Sequence, residues 1–291
     1  MFFLKVILLA IIQGLAELLP ISSSAHVVVA EKLMGLNPSS PPMTLMLVML
    51  HTGTMFAVIV YFWKQWRATF FSSARAFGRF TWLAIIATFL TAIIGEAIVK
   101  VIEHTLFKGV PHAQIEDLFS HLDIIAPALL AAGILILIAG LLQRRNDPEP
   151  DPVTASTDPS NDITPGQASL IGAVQGLCLP FRGFSRSGAT ISAGMLIGVR
   201  KVRAEAFSFA LAVILTPPLV AREALRLRHV AHASFANAAW PSLIGAFFSF
   251  LAGLLALRWL SSWLERGRWY YFGIYCLLAA IVVFVLHQNG Y

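Results

Sequence analysis

Six stretches of the chain, 43–63, 80–99, 123–142, 207–221, 240–257 and 269–287, are so apolar and so nearly free of charge that water is a poor solvent for them. A helix needs roughly 20 mostly apolar residues to cross the hydrocarbon core of a bilayer, and these stretches reach or approach that length. With 57% hydrophobic and 12% charged residues among 291, the composition leaves little polar surface for a globular exterior. The expected fold class is therefore an all-α integral membrane protein with six transmembrane helices. The net charge of +6 does not point to nucleic acid. The Lys and Arg residues sit in short loops between spans, the pattern of cytoplasmic loops rather than of one basic face. The first 20 residues hold Glu17 inside an apolar run and no small-residue cleavage site, so no removable signal peptide is expected. Cys178 and Cys276 lie in apolar segments without metal-type spacing and read as packing residues.

Residues 143–166, where Pro, Asp, Ser and Thr replace the apolar residues, read as a solvated cytoplasmic linker between two halves, 1–142 and 167–291. The halves echo each other. Ile-Gln-Gly-Leu at 12–15 is matched by Val-Gln-Gly-Leu at 174–177, and each is followed by a proline and a serine-rich segment. Lys64, Arg67, Arg75 and Arg79 in the 64–79 loop place it in the cytoplasm. Alternating the spans from there puts the 100–122 loop outside and the 143–166 linker inside. Segments 4–35 and 167–199 must then enter the membrane and turn back. The expected architecture is two units, each one re-entrant hairpin plus three spans, in an inverted-topology repeat with both termini outside. Arg222, Arg226 and Arg228 fall on the outer face in this scheme, against the charge rule.

The polar residues within the hairpins carry the candidate chemistry. Gln13 and Glu17 are one helical turn apart and share a face. A carboxylate at membrane depth costs about 2.5–3.5 kcal/mol, so Glu17 either serves a wet functional cavity or sits at the outer headgroups. Pro20 should end the first helix, after which Ser22, Ser23 and Ser24 turn the chain, with His26 close behind. A serine near an imidazole can be an activated nucleophile, although serines after a proline also cap helices and a lone histidine also packs in cores. In the second hairpin, Arg182, Gly183, Ser185, Arg186, Ser187, Gly188 and Thr190 combine backbone N–H groups, hydroxyls and guanidinium, a set that suits phosphate oxygens. Arg186 could instead extend its head to the cytoplasmic interface. Together the segments suit phosphoryl transfer from a lipid, with Arg186 and a divalent cation on Glu17 stabilising the phosphoryl group. A secondary transporter or lipid-phosphate flippase would use the same broken helices. An acid-phosphatase-like lipid phosphatase would need a histidine several residues after Ser185-Arg186, where Ser192 stands six after Arg186.

These residues resemble the bacterial undecaprenyl-diphosphate phosphatases over nearly the whole chain. The resemblance rests on a (Glu/Gln)-x-x-x-Glu motif at Gln13 to Glu17, running through 17–26, and on a Pro-Gly-x-Ser-Arg-Ser-x-x-Thr motif at Gly183 to Thr190; residues 51–62 and 207–209 also look like family segments. It implies hydrolysis of undecaprenyl diphosphate to the monophosphate, recycling the lipid carrier of cell-wall synthesis. It further implies a multi-pass protein of the bacterial inner membrane whose site faces the periplasm, with Mg2+ or Ca2+ as cofactor. Ser23 is then the nucleophile, His26 its proton-transfer partner, Glu17 the metal- or phosphate-orienting acid and Arg186 the phosphate clamp. Gln13, Ser22, Arg182, Gly183, Ser185, Ser187 and Thr190 line the phosphate. Lipid substrate and membrane lipids are the implied partners, and a homodimer is a further expectation. The chain departs from the pattern at Gln13, which leaves one fewer carboxylate for a cation, and at Arg182, where the family has proline.

Overall fold

A computed structural model describes residues 2–36, 41–106, 122–146, 163–227 and 232–289. The described residues form helices and their connections, with no strand. In order these are α1 (Phe2–Leu18), α2 (Ser23–Leu33), α3 (Pro41–Thr69), α4 (Ala74–Leu106), α5 (Leu122–Asn146), α6 (Pro165–Cys178), α7 (Arg186–Leu196), α8 (Lys201–Leu227), α9 (His232–Glu265) and α10 (Tyr270–Gln288). Most of the linker, 147–162, and most of the 100–122 loop lie outside the described residues.

Five helical stretches are long and apolar enough to cross a membrane: Met43–Thr69, Ala74–Thr105, Leu122–Gln143, Ala239–Glu265 and Tyr270–Gln288. They contain five of the six expected spans. The sixth, 207–221, lies within α8, which is helical throughout but is not among the five. Its apolar run is bounded by Glu205 and Arg222 and holds Ser208, Thr216, Pro217 and Pro218. Helices α1, α2, α6 and α7 have 17, 11, 14 and 11 residues. At 1.5 Å per residue each falls short of the roughly 30 Å hydrocarbon thickness.

The chain divides into two compact units. The first comprises residues 1–19, 23–63 and 209–262. Its core gathers Val6, Leu9 and Ala10 of α1, Val27 of α2, and Met43, Met46 and Leu50 of α3. Lys5 Nζ donates to the Met34 carbonyl at 2.7 Å, tying the start of α1 to the end of α2. Small residues bring α9 against α1 and α3. A Cβ on Gly14 would lie 2.6 Å from the Ser249 carbonyl oxygen, and one on Gly53 would lie 2.2 Å from that of Ala246. Ser249 Oγ donates to the Leu50 carbonyl at 3.0 Å. Helices in lipid lack a hydrophobic drive to associate, so close backbone approach and such polar contacts supply it.

The second unit comprises residues 20–22, 64–208 and 263–291. Helix α6 starts with a capping box: Thr164 accepts from the Gln167 N–H, the Gln167 side chain accepts from the Thr164 N–H, and Pro165 stands where no donor is needed. It lies flush on α4, with Gly172 against Ala87 and Gly176 against Thr91. Thr91 Oγ1 donates to the Gly172 carbonyl at 2.9 Å and accepts from Gln175 Nε2 at 3.2 Å. Helices α5 and α10 pair through Gly133, Gly140 and Gly273. Trp269 Nε1 donates to Ser192 Oγ, which joins the start of α10 to α7.

Candidate active site

In the first unit the helical period places Gln13 and Glu17 on one face of α1, which ends at Leu18 because Pro20 offers no N–H to continue it. The chain turns through Ser22, held in the left-handed region at φ 68°, and α2 begins at Ser23. That turn carries the Ser23 hydroxyl back to Glu17. Ser23 Oγ donates to Glu17 Oε2 at 2.5 Å, and Gln13 Nε2 donates to the same oxygen at 3.2 Å. His51 of α3 brings Nε2 to 3.7 Å from that oxygen. Its Nδ1 lies 2.8 Å from the Leu47 carbonyl, which can only accept, so Nδ1 carries a proton. Gln13 is 1% exposed, and the Glu17 and His51 side chains 15% and 42%. The cluster is therefore closed on the Gln13 side and open on the His51 side.

A carboxylate so placed can accept the serine proton as Oγ attacks an electrophile. The Ser23 hydroxyl bonds Glu17, and His26 lies three residues along α2, half-buried. His51 was legible only as the first residue of a family-like segment. Its spacing from Glu17 is tertiary and carries no local signal.

In the second unit the expected phosphate residues bracket a tight turn. The Phe184 N–H donates to the Phe181 carbonyl at 3.1 Å, and Gly183 has φ +102°, as the third residue of a type II turn requires. Arg182 occupies the second position, where proline is favoured but not required, which is how the chain keeps the turn despite departing from the family pattern. Gly183 also lies so close to α5 that a Cβ would be 2.5 Å from the Ile125 carbonyl oxygen. Ser185 caps α7 by accepting from the Gly188 N–H, and Arg186 is the helix's first residue. Ser185, Ser187 and Thr190 are buried, while Arg182 and Arg186 are half-buried. Thr190 Oγ1 donates to the Arg186 carbonyl at 2.8 Å and meets Ser208 Oγ of α8 at 2.5 Å, so the Ser208 hydroxyl is the donor in that pair. Thr190 thus holds the first turn of α7 to α8. Ser208 was visible in the sequence only as the middle of Phe-Ser-Phe at 207–209.

The Bacitracin resistance protein BacA family model matches residues 6–282. The chain belongs to this family. It is 52% identical over 290 residues to Undecaprenyl-diphosphatase 2 of Acinetobacter baylyi, covering 97% of both proteins. It is 33% identical to Undecaprenyl-diphosphatase 2 of Burkholderia thailandensis, covering 94% of this chain and 93% of that one, and 32% identical to Undecaprenyl-diphosphatase 1 of Burkholderia pseudomallei over the same shares. With the family and five membrane-length helices in hand, the chain is a multi-pass membrane protein.

Proposed function

We propose that this protein hydrolyses undecaprenyl diphosphate to undecaprenyl phosphate and phosphate. The observation that carries the reading is the Ser23 hydroxyl donated to Glu17 Oε2 at a helix break, in a member of a family whose relatives are undecaprenyl-diphosphatases. Ser23 Oγ attacks the terminal phosphorus while its proton passes to Glu17. The bond from that phosphorus to the bridging oxygen breaks, and undecaprenyl phosphate leaves with the electron pair. Water then displaces phosphate from Ser23, which recovers its proton. The family resemblance assigns Arg186 as phosphate clamp, with Arg182 as a second phosphate contact, neutralising the charge on the phosphoryl oxygens, the term that dominates such transfers. Ser185 caps the start of α7 and Thr190 anchors it, Ser187 is assigned a hydroxyl contact to the phosphate, Ser22 and Gly183 shape the two turns, and His26 assists proton movement beside Ser23.

A protein-held cation is a poorer fit. Among the described residues no three His, Cys, Asp or Glu side chains group as a metal site. Toward Glu17 Oε2, Gln13 turns its amide N–H2 rather than its carbonyl oxygen, and His51 turns a ring nitrogen. Mg2+ and Ca2+ take oxygen ligands.

The membrane arrangement read here is two inverted repeats, each a re-entrant hairpin and three spans. The packing supports it. Hairpin α1–α2 rests Gly14 on α9, and its Pro20 carbonyl accepts from Cys276 Sγ of α10; hairpin α6–α7 rests Gly172 and Gly176 on α4 and Gly183 on α5. Each hairpin thus leans on the second and third helices of the other half, as a two-fold relation between halves would produce. An odd number of crossings per half inverts the second half. Loop charges put the 64–79 segment in the cytoplasm and direct the Glu17 site to the periplasm of the inner membrane.

Phosphate release from a polyprenyl diphosphate by purified protein in detergent tests the assignment. The wild type should turn over, and Ser23→Ala and Arg186→Ala should each lose about 10²-fold or more. Undiminished release by either variant, or none by the wild type, sinks the hydrolase reading.

A further inference from the structure

Gln13 occupies the position where a second carboxylate would let α1 clamp a cation between two acids one turn apart. Its amide does something else there. Nε2 points at Glu17 Oε2 from 3.2 Å and donates to it, in a spot only 1% exposed. Ser23 donates to the same oxygen, and the His51 ring closes on it from α3. A divalent ion at this oxygen would need oxygen ligands 2.0–2.6 Å away, and on this side Gln13 presents its N–H2 rather than its carbonyl oxygen and His51 a ring nitrogen.

We infer that Gln13 stands in for a metal ion: the free protein has no divalent-cation site at Glu17, and the positive end of the Gln13 amide dipole supplies the neighbouring charge a cation would otherwise bring. Any Mg2+ or Ca2+ in the reaction then arrives on the substrate's own diphosphate oxygens. The inference also separates Gln13 from Gln175, its counterpart in the second half, whose Nε2 is spent on Thr91 in a helix contact. One residue type in the repeated Gln-Gly-Leu sequence serves to hold a carboxylate, the other to hold a helix. This reading builds on the role proposed for Glu17.

The direct probe is Mn2+, followed by its EPR signal in titrations of the full chain in detergent without substrate. Wild type should show no saturable site that Glu17→Gln removes. Gln13→Glu should gain one, binding ~tenfold tighter than any wild-type binding because it adds ligand charge, and Gln13→Glu/Glu17→Gln should lose it again. Size-exclusion profiles and thermal unfolding show that each variant is folded, and Gln13→Asp offers a second carboxylate variant if Gln13→Glu does not fold. Wild-type binding as tight as that of Gln13→Glu and abolished by Glu17→Gln overturns the inference, as does failure of both carboxylate variants to bind. Because no substrate is present, these outcomes are independent of phosphate release, which alone decides whether the protein is a hydrolase.

Discussion

A single carboxylate oxygen, Glu17 Oε2, gathers the partners that matter at the residue scale. Glu17→Gln would replace the acceptor of the Ser23 proton with a group that cannot take it, and kcat should fall by about 10²–10⁴-fold with KM little changed; a rise in KM alone would point to substrate binding instead. Gln13→Leu should produce a smaller kcat loss, because it removes one donor and leaves Ser23 in place. Arg182 separates shape from charge. At the second position of its turn, Arg182→Pro keeps the backbone angle the turn uses and should leave thermal stability equal or higher by about 0.4–1 kcal/mol, while removing one guanidinium from the phosphate residues. A rise in KM for the diphosphate, at unchanged unfolding temperature, would identify Arg182 as a substrate contact. Thr190→Val takes both the Arg186 carbonyl bond and the Ser208 bond at once, strands a buried hydroxyl, and should cost about 1–3 kcal/mol on detergent unfolding.

Among the elements, the tightest helix approaches described are made at glycine, since Leu or Phe gains little by leaving lipid for protein. Gly172 is the clearest case, with Ala87 backbone atoms 2.3–2.7 Å from where a Cβ would sit. Gly172→Val should lower stability by about 1–3 kcal/mol as α6 is pushed off α4. Gly166→Ala, on the same helix with open space around it, should move it by no more than about 0.5 kcal/mol. Gly183→Ala should be worse than ordinary overpacking, because it meets both a positive φ and the Ile125 carbonyl. Helices α1 and α6 end just before Pro20 and Pro180, and the breaks that follow carry Ser22 to Ser24 and Arg182 to Ser185.

For the whole molecule, the proposed topology predicts a protein whose chain ends both face the periplasm. Alkaline phosphatase fused after residue 291 should be active, a fusion in the 64–79 loop inactive, and cysteines placed at 72 and 73 should react only with membrane-permeant reagents; the reverse pattern would turn the Glu17 site toward the cytoplasm. Much of this was legible beforehand because it is written in local chemistry. Five of the expected spans followed from apolar length, the end of α1 from Pro20, and the candidate residues from polar groups too expensive to place in lipid without purpose. The partners of those residues were not legible. Ser23 reaches Glu17 across the turn that Ser22 makes in the left-handed region. His51 reaches it from α3, which packs with α1 through Leu9, Ala10, Met46 and Leu50, a contact no residue next to position 17 encodes. Solvent preference acts on each segment separately and so can be read from sequence. Contact distance depends on how separately stable segments pack, and that was decided only when the tertiary structure brought them together.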